Sequence, residues 1–411
     1  MEATVHPADP MGTTASVDGT PASGRPYWPA LDGLRGTAIL AVLVCHHSAL
    51  IPNTHGLADL LDNGWAGVDL FFVLSGFLIT GILFDAKGTP HYFRNFYARR
   101  SLRIFPLYYG FLAALLLLLL LVRFLPGNLG GGLDRLWAPQ PWLWTYTANF
   151  WIGAQKQWTT STESIIPLWS LSVEEQFYLI WPLVVFSFSR RKLIGICIGV
   201  MIGALLLRLM LTAHGIDWFA LYTWTPTRAD SLAAGGLLAL LIRRPGGTRN
   251  LREIFNCAGA MAGLLLLVNC RGFDPLGHPW LRQIIYSLLA IFFAALLYWS
   301  IDPASLLGIP RRIYECPVLR IIGRYSYGIY IFHLPLMYLS RFALTRCGWY
   351  DPEHKSWPAA LGLIALNAIL TSAAAVISFE AYEKQFLKLK RRFPEPSLSR
   401  PPAAWEAGET G

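Results

Sequence analysis

Apolar residues along this chain gather into long runs separated by short polar connections, and the length of the runs decides what they are. An α-helix needs roughly 17 to 25 residues to cross about 30 Å of hydrocarbon. Runs of that size stand at residues 34–50, 66–84, 102–125, 168–188, 193–212, 226–242, 254–270, 284–300, 321–344 and 358–382. They predict an all-α, polytopic integral membrane protein with about ten transmembrane helices. Between the third and fourth runs, "WLWTYTANFWIG" is aromatic but too short to cross, and predicts an interfacial or re-entrant element.

The polar parts supply the organisation. Residues 1–28 are rich in Ser, Thr, Gly and Pro with no apolar centre, so they are expected to form a disordered tail. They lack the basic start and short apolar segment of a cleavable signal, so the first span should be retained. Residues 29–385 then form the transmembrane domain. Residues 386–411 form a second tail, basic through "KLKRR" and disordered afterwards. Basic clusters fall on alternate connections, at residues 87–103, 190–192, 243–252 and 311–324 and after the last run, which places both termini in the cytoplasm. No internal repeat of 20 to 50 residues is visible, which weighs against an inverted-repeat transporter.

Composition narrows the class without changing it. Hydrophobic residues make up 54% and charged residues 14%, with a mean hydropathy of +0.42. A soluble globule carries about a quarter charged residues. The net charge of +9 sits mostly in the loops, so it marks topology and points to no nucleic acid. Six scattered cysteines show neither metal spacing nor a pairing pattern.

Ionisable groups inside apolar runs cost several kcal/mol in hydrocarbon and are usually functional, and a small set stands out. In "LDGLRGTAILAVLVCHHSAL", Arg35 and His46 are eleven residues apart, which puts them on one helical face about 16 Å apart along the axis. Arg35 is expected at the cytoplasmic mouth and His46 near mid-membrane; His47 points elsewhere. In "YARRSLRIFPLYY", Arg100 and Arg103 share a face at the same level as Arg35, and guanidinium forks grip phosphates in a bidentate way. His333 in "GRYSYGIYIFHLPLMY" should reach the depth of His46. Glu175, beside Glu174 in "PLWSLSVEEQFYLIWPL", needs a partner, and a membrane-depth histidine is an obvious one. Asp69, and Asp230 near Arg228, lie toward the outer side and suit an acceptor site, although Arg228 and Asp230 could simply pair with each other.

The succession "LDGLRG", "GVDLFFVLSGFLIT", "RRSLRIFPLYY", "LWSLSVEEQFYLIWP", "TRADSLAAG" and "YSYGIYIFH", with the Arg35-to-His46 spacing, resembles acyltransferase family 3, the membrane O-acyltransferases of surface polysaccharides and related acceptors. The resemblance runs in order from Leu31 to Tyr382. It implies that His46 is the catalytic histidine, with Arg35 as its partner, and that Arg100 and Arg103 belong to the acyl-coenzyme A site. It further implies a bacterial cytoplasmic membrane, a donor that is a substrate (acetyl-coenzyme A) with no permanently bound cofactor, and a glycan or glycolipid acceptor. Some relatives carry an additional extracytoplasmic esterase-like domain; its absence here would leave acceptor handling to the membrane domain or to a separate extracytoplasmic partner protein. In this scheme His46 acts as general base or takes the acyl group itself, Glu175 orients it, and His333, Asp69 and Asp230 complete the substrate site. The competing classes are acylation of a small hydroxylated molecule such as a macrolide, and a proton-coupled secondary transporter.

Overall fold

The computed structural model describes residues 28–52, 57–123, 133–156, 163–244, 251–270, 278–302 and 305–394. Of the expected tails 1–28 and 386–411, residues 1–27 and 395–411 lie outside the described residues. Among those described, ten helices have 17 residues or more: α1 (Pro29–Ser48), α2 (Gly67–Asp85), α3 (Tyr92–Arg123), α4 (Leu168–Ser187), α5 (Arg190–Ala213), α6 (Thr225–Leu241), α7 (Arg252–Cys270), α8 (Pro279–Ile301), α9 (Pro317–Arg346) and α10 (Trp357–Ile377). Each coincides with one apolar run. Six segments, those containing α1, α2, α3, α5, α8 and α10, are long and apolar enough to cross a membrane by length and composition alone. Of the others, α6 has only 17 residues and α9 carries Arg320, Arg324, Arg341 and Arg346.

Five of the long helices, α1, α6, α8, α9 and α10, have proline in their first turn. There the missing N–H would have had no intrahelical partner, and the fixed φ suits the helix. The aromatic stretch between α3 and α4 folds into two short helices, Gln140–Trp144 and Ala148–Ala154. The Tyr108 hydroxyl donates to the Leu143 carbonyl at 2.8 Å and ties the first of them to α3.

The distribution of polarity is inverted relative to a soluble protein. Leu179 on α4 is 68% exposed and Leu267 on α7 65%, whereas Asp69 and Arg228 are fully buried. Large apolar side chains facing outward over many helices, with charges inside, are what hydrocarbon selects. The chain is a multi-pass membrane protein.

Packing centres on α1, α2, α6 and α9. α1 runs against α9 and α2, α6 against α2 and α5, and α10 against α9, while α7 leans mainly on α8. The α1–α9 crossing is so close that a Cβ on Gly36 would sit 2.1 Å from the Leu319 carbonyl oxygen, and one on Gly323 1.8 Å from that of Asp32. Small residues at such crossings let backbones approach where lipid supplies no hydrophobic drive between helices. Gly76 on α2 plays the same part toward Leu232 on α6. These contacts fix α1 and α9 relative to each other, and with them the two histidines they carry.

After α10 the chain makes a π-helical turn over Ser378–Glu383 and then continues through Lys384–Lys388 and Leu389–Arg392. The helical body therefore extends past residue 385, and this segment packs back against α3.

Candidate active site

α1 and α9 bring His46 and His333 together: His333 Nε2 lies 3.0 Å from His46 Nδ1. His333 Nδ1 is 2.8 Å from the Tyr330 carbonyl. A carbonyl only accepts, so His333 Nδ1 carries the proton. With both rings neutral, His333 Nε2 is then an acceptor, and His46 Nδ1 is the donor that fills it. The consequence falls on the remaining nitrogen, because His46 Nε2 is left with its lone pair. That is the tautomer a general base needs, and an acceptor at Nδ1 stabilises the imidazolium that forms.

His47 takes no part in this pair. Its Nε2 bonds Asn367 Oδ1 at 2.8 Å and its Nδ1 lies 2.6 Å from the Leu43 carbonyl. Asn367, fully buried on α10, also donates to the His333 backbone carbonyl at 3.2 Å, so it braces α1 and α9 from one side. His46 lies in the last turn of α1 and His333 near the middle of the thirty-residue α9, and their contact puts the two rings at one level.

A cavity of about 310 Å³ lies beside this pair, within the usual range for small-molecule sites. Its lining carries six cations, Arg35, Arg99, Arg100, Arg103, Arg324 and Lys390. It also includes apolar side chains such as Phe71, Leu78 and Ile82, together with Ser170, Tyr178, Glu174, Glu175 and Tyr330. Ser170 and Tyr330 are joined by a 2.6 Å hydroxyl contact. The Tyr178 hydroxyl donates to Glu174 at 3.0 Å and meets Ser75, and the Arg100 guanidinium lies 5.8 Å from the Tyr178 ring centroid. Glu175 Oε1 is buried without a hydrogen-bond partner.

Several sequence candidates are thus gathered around the cavity, and others are not. Arg35, Arg100, Arg103 and Glu175 all line the cavity. His46 and His333 do not; the cavity reaches Tyr330, whose ring is 5.7 Å from the His333 ring, and goes no further. The open shaft expected to lead from Arg35 to His46 therefore stops one side chain short. Arg35 bonds Asp32 at 2.9 Å rather than His46, since eleven helical residues separate the two by about 16 Å. Glu175 makes no hydrogen bond to His46, whose partner is His333.

Asp69 and Asp230, expected at an outer acceptor site, are fully buried in ion pairs away from the cavity wall. Asp69 pairs with Arg228 at 2.5 Å and accepts from Ser231 at 2.9 Å. Asp230 pairs with Arg208 at 2.7 Å and accepts from Ser287 at 3.0 Å. Arg228 and Asp230 do not pair with each other, because residues two apart on a helix point about 200° apart. Arg228 instead stacks over Tyr286, 4.4 Å from the ring centroid.

Sequence comparison meets this geometry independently. The family model described as an acyltransferase domain, that of acyltransferase family 3, matches residues 28–379. The chain belongs to acyltransferase family 3. This acyltransferase is 31% identical over 376 residues to the putative peptidoglycan O-acetyltransferase YrhL of Bacillus subtilis, covering 87% of this chain and 54% of that one. It is also 31% identical over 334 residues to the peptidoglycan O-acetyltransferase OatA of Listeria monocytogenes, covering 77% of this chain and 50% of that one. The putative O-acetyltransferase SAS0844 of Staphylococcus aureus is 27% identical over 328 residues, covering 76% of this chain and 51% of its own. The acyltransferase thus spans about half the length of these relatives. No solved structure matches it.

Several lining residues escape the sequence candidates for the site, among them Tyr330, Arg99 and Lys390. Tyr330 had a signal, standing one helical turn before His333 on the same face. Arg99 was visible only as a neighbour of Arg100. Lys390 sits in "KLKRR", where an anchoring role already accounts for any cation.

Proposed function

We propose that this acyltransferase moves an acetyl group from acyl-coenzyme A to a hydroxyl of a cell-surface glycan, with His46 as the base. The observation that carries the proposal is the His46–His333 pair, whose hydrogen bonding leaves His46 Nε2 unprotonated beside a cavity with a cationic rim. The rim supports a phosphate-bearing donor, since arginine forks suit phosphate oxygens. The apolar part of the lining suits a pantetheine arm. In this scheme the membrane is the bacterial inner membrane and the rim faces the cytoplasm, as the basic connections suggest.

The acceptor hydroxyl gives its proton to His46 Nε2 as its oxygen attacks the thioester carbonyl. The C–O bond forms, the C–S bond breaks, and the imidazolium returns the proton to the departing thiolate. His333 Nε2 accepts from His46 Nδ1–H throughout. Because Tyr330 stands between the cavity and His333, its side chain must swing aside for the thioester to reach His46. The relatives' names make peptidoglycan the acceptor to try first.

Purified chain in lipid vesicles, given acetyl-labelled coenzyme A and peptidoglycan fragments, is expected to produce labelled O-acetyl ester, and His46→Ala is expected to reduce that product to background. Labelled ester formed at the wild-type rate by His46→Ala would refute the assigned role.

A further inference from the structure

The segment that follows α10 was expected to become a basic tail from residue 386, and past residue 379 it lies beyond the residues that match the family model. In the structure it runs back along α3. At its start, Phe379 meets the Arg103 guanidinium at 5.7 Å from the ring centroid. Further on, Arg99 donates to the Phe393 carbonyl at 3.0 Å and reaches that of Lys390 at 3.5 Å. At its end, Asn95 donates to the Pro394 carbonyl at 3.2 Å, and Arg94 lies 6.0 Å from the Phe393 ring. The segment is thus fastened turn by turn, from Arg103 back to Arg94.

Membrane anchoring accounts for a basic segment at this place, but not for where one of its cations goes. Lys390 lines the cavity together with Arg99 and Arg103, while its neighbour Arg391 is exposed and does not. The cations of the lining therefore stand at two levels along α3. Arg103, near Arg35, is the deeper; Arg99 and Arg100, three to four residues or about 5–6 Å back along the helix, are the outer, and Arg99 reaches the backbone of Lys390.

Coenzyme A carries anionic groups in two places, a pyrophosphate on the 5′ side of its ribose and a phosphate on the 3′ side. The pantetheine arm leaves from the pyrophosphate. When the arm points inward, the pyrophosphate is the deeper group and the 3′-phosphate the outer one. We infer that the segment after α10 completes the donor site, and that Lys390 with Arg99 binds the 3′-phosphate of coenzyme A. This inference rests on the reading of acyl-coenzyme A as the donor.

The full chain in detergent, titrated with acetyl-coenzyme A and with its analogue lacking the 3′-phosphate, separates the two ideas. Lys390→Ala is expected to weaken acetyl-coenzyme A binding about tenfold, to leave binding of the dephospho analogue at the wild-type value, and to be rescued by Lys390→Arg. Arg391→Ala removes the same charge one position away and is expected to bind both ligands like wild type. Equal losses for both ligands, or no loss for either, would overturn the 3′-phosphate assignment while leaving the donor reading intact. If the wild-type chain binds neither ligand, the donor reading falls and the assignment falls with it.

Discussion

At the scale of single residues, what distinguishes this protein is which charges are matched and by whom. Arg228 and Asp69 are both fully buried and bonded to each other. A buried pair of this kind adds little over an apolar replacement, but removing one partner leaves a stranded charge at a cost of about 3–5 kcal/mol. Arg228→Met is therefore expected to lower the thermal stability of the purified chain sharply, and the double variant Arg228→Met, Asp69→Leu to recover much of the loss. A double variant less stable than the single would show that Asp69 is needed for something other than Arg228. The sequence made both residues visible, because charges in apolar runs stand out. It did not show their pairing, which is decided by which helices are neighbours; the Arg228–Asp230 pair that the sequence left open fails because the two side chains point apart on α6. His46 and His333 were likewise recognisable singly, and their hydrogen bond adds the tautomer that composition and spacing could not supply. Glu175 was recognisable as an ionisable group out of place, yet it faces the cavity and not the imidazole.

At the scale of elements, the site depends on the α1–α9 crossing. His46 hangs from one helix and His333 from the other, and their 3.0 Å contact holds only while Gly36 and Gly323 allow backbone to lie on backbone. Gly36→Ala is expected to cost about 1–3 kcal/mol, the usual range for overfilling a packed interior, and to depress acetyl transfer as the histidines separate. Gly362→Ala, on α10 with nothing near its would-be Cβ, is expected to change neither. Thermal unfolding and transfer rate measured on both variants check this, and an unperturbed Gly36→Ala would deny the crossing its role. The ten helices were legible because hydrocarbon demands long apolar runs whatever their neighbours. Their crossings were legible only as scattered small residues. The two short helices between α3 and α4 were visible as an aromatic stretch, but not as helices, because five to seven residues are too few to show a period.

At the scale of the whole molecule, the cations line one cavity and the imidazole pair lies one side chain beyond it. Arg100 and Arg103 were expected to hold phosphate from their spacing alone, and the cavity sets Arg35, Arg99, Arg324 and Lys390 beside them. The tail's contribution was hidden because the positive-inside bias explains basic residues at a span's end without any ligand. The proposed function implies a division of labour, with the rim holding the donor and His46 moving the proton. Measuring acetyl-coenzyme A affinity and acetyl transfer side by side on wild type, His46→Ala and the Arg100→Ala, Arg103→Ala double variant tests that division directly. The account predicts wild-type affinity without transfer for His46→Ala, and at least a tenfold loss of affinity for the arginine double variant. Undiminished affinity in the arginine variant, or transfer by the histidine variant, would contradict it.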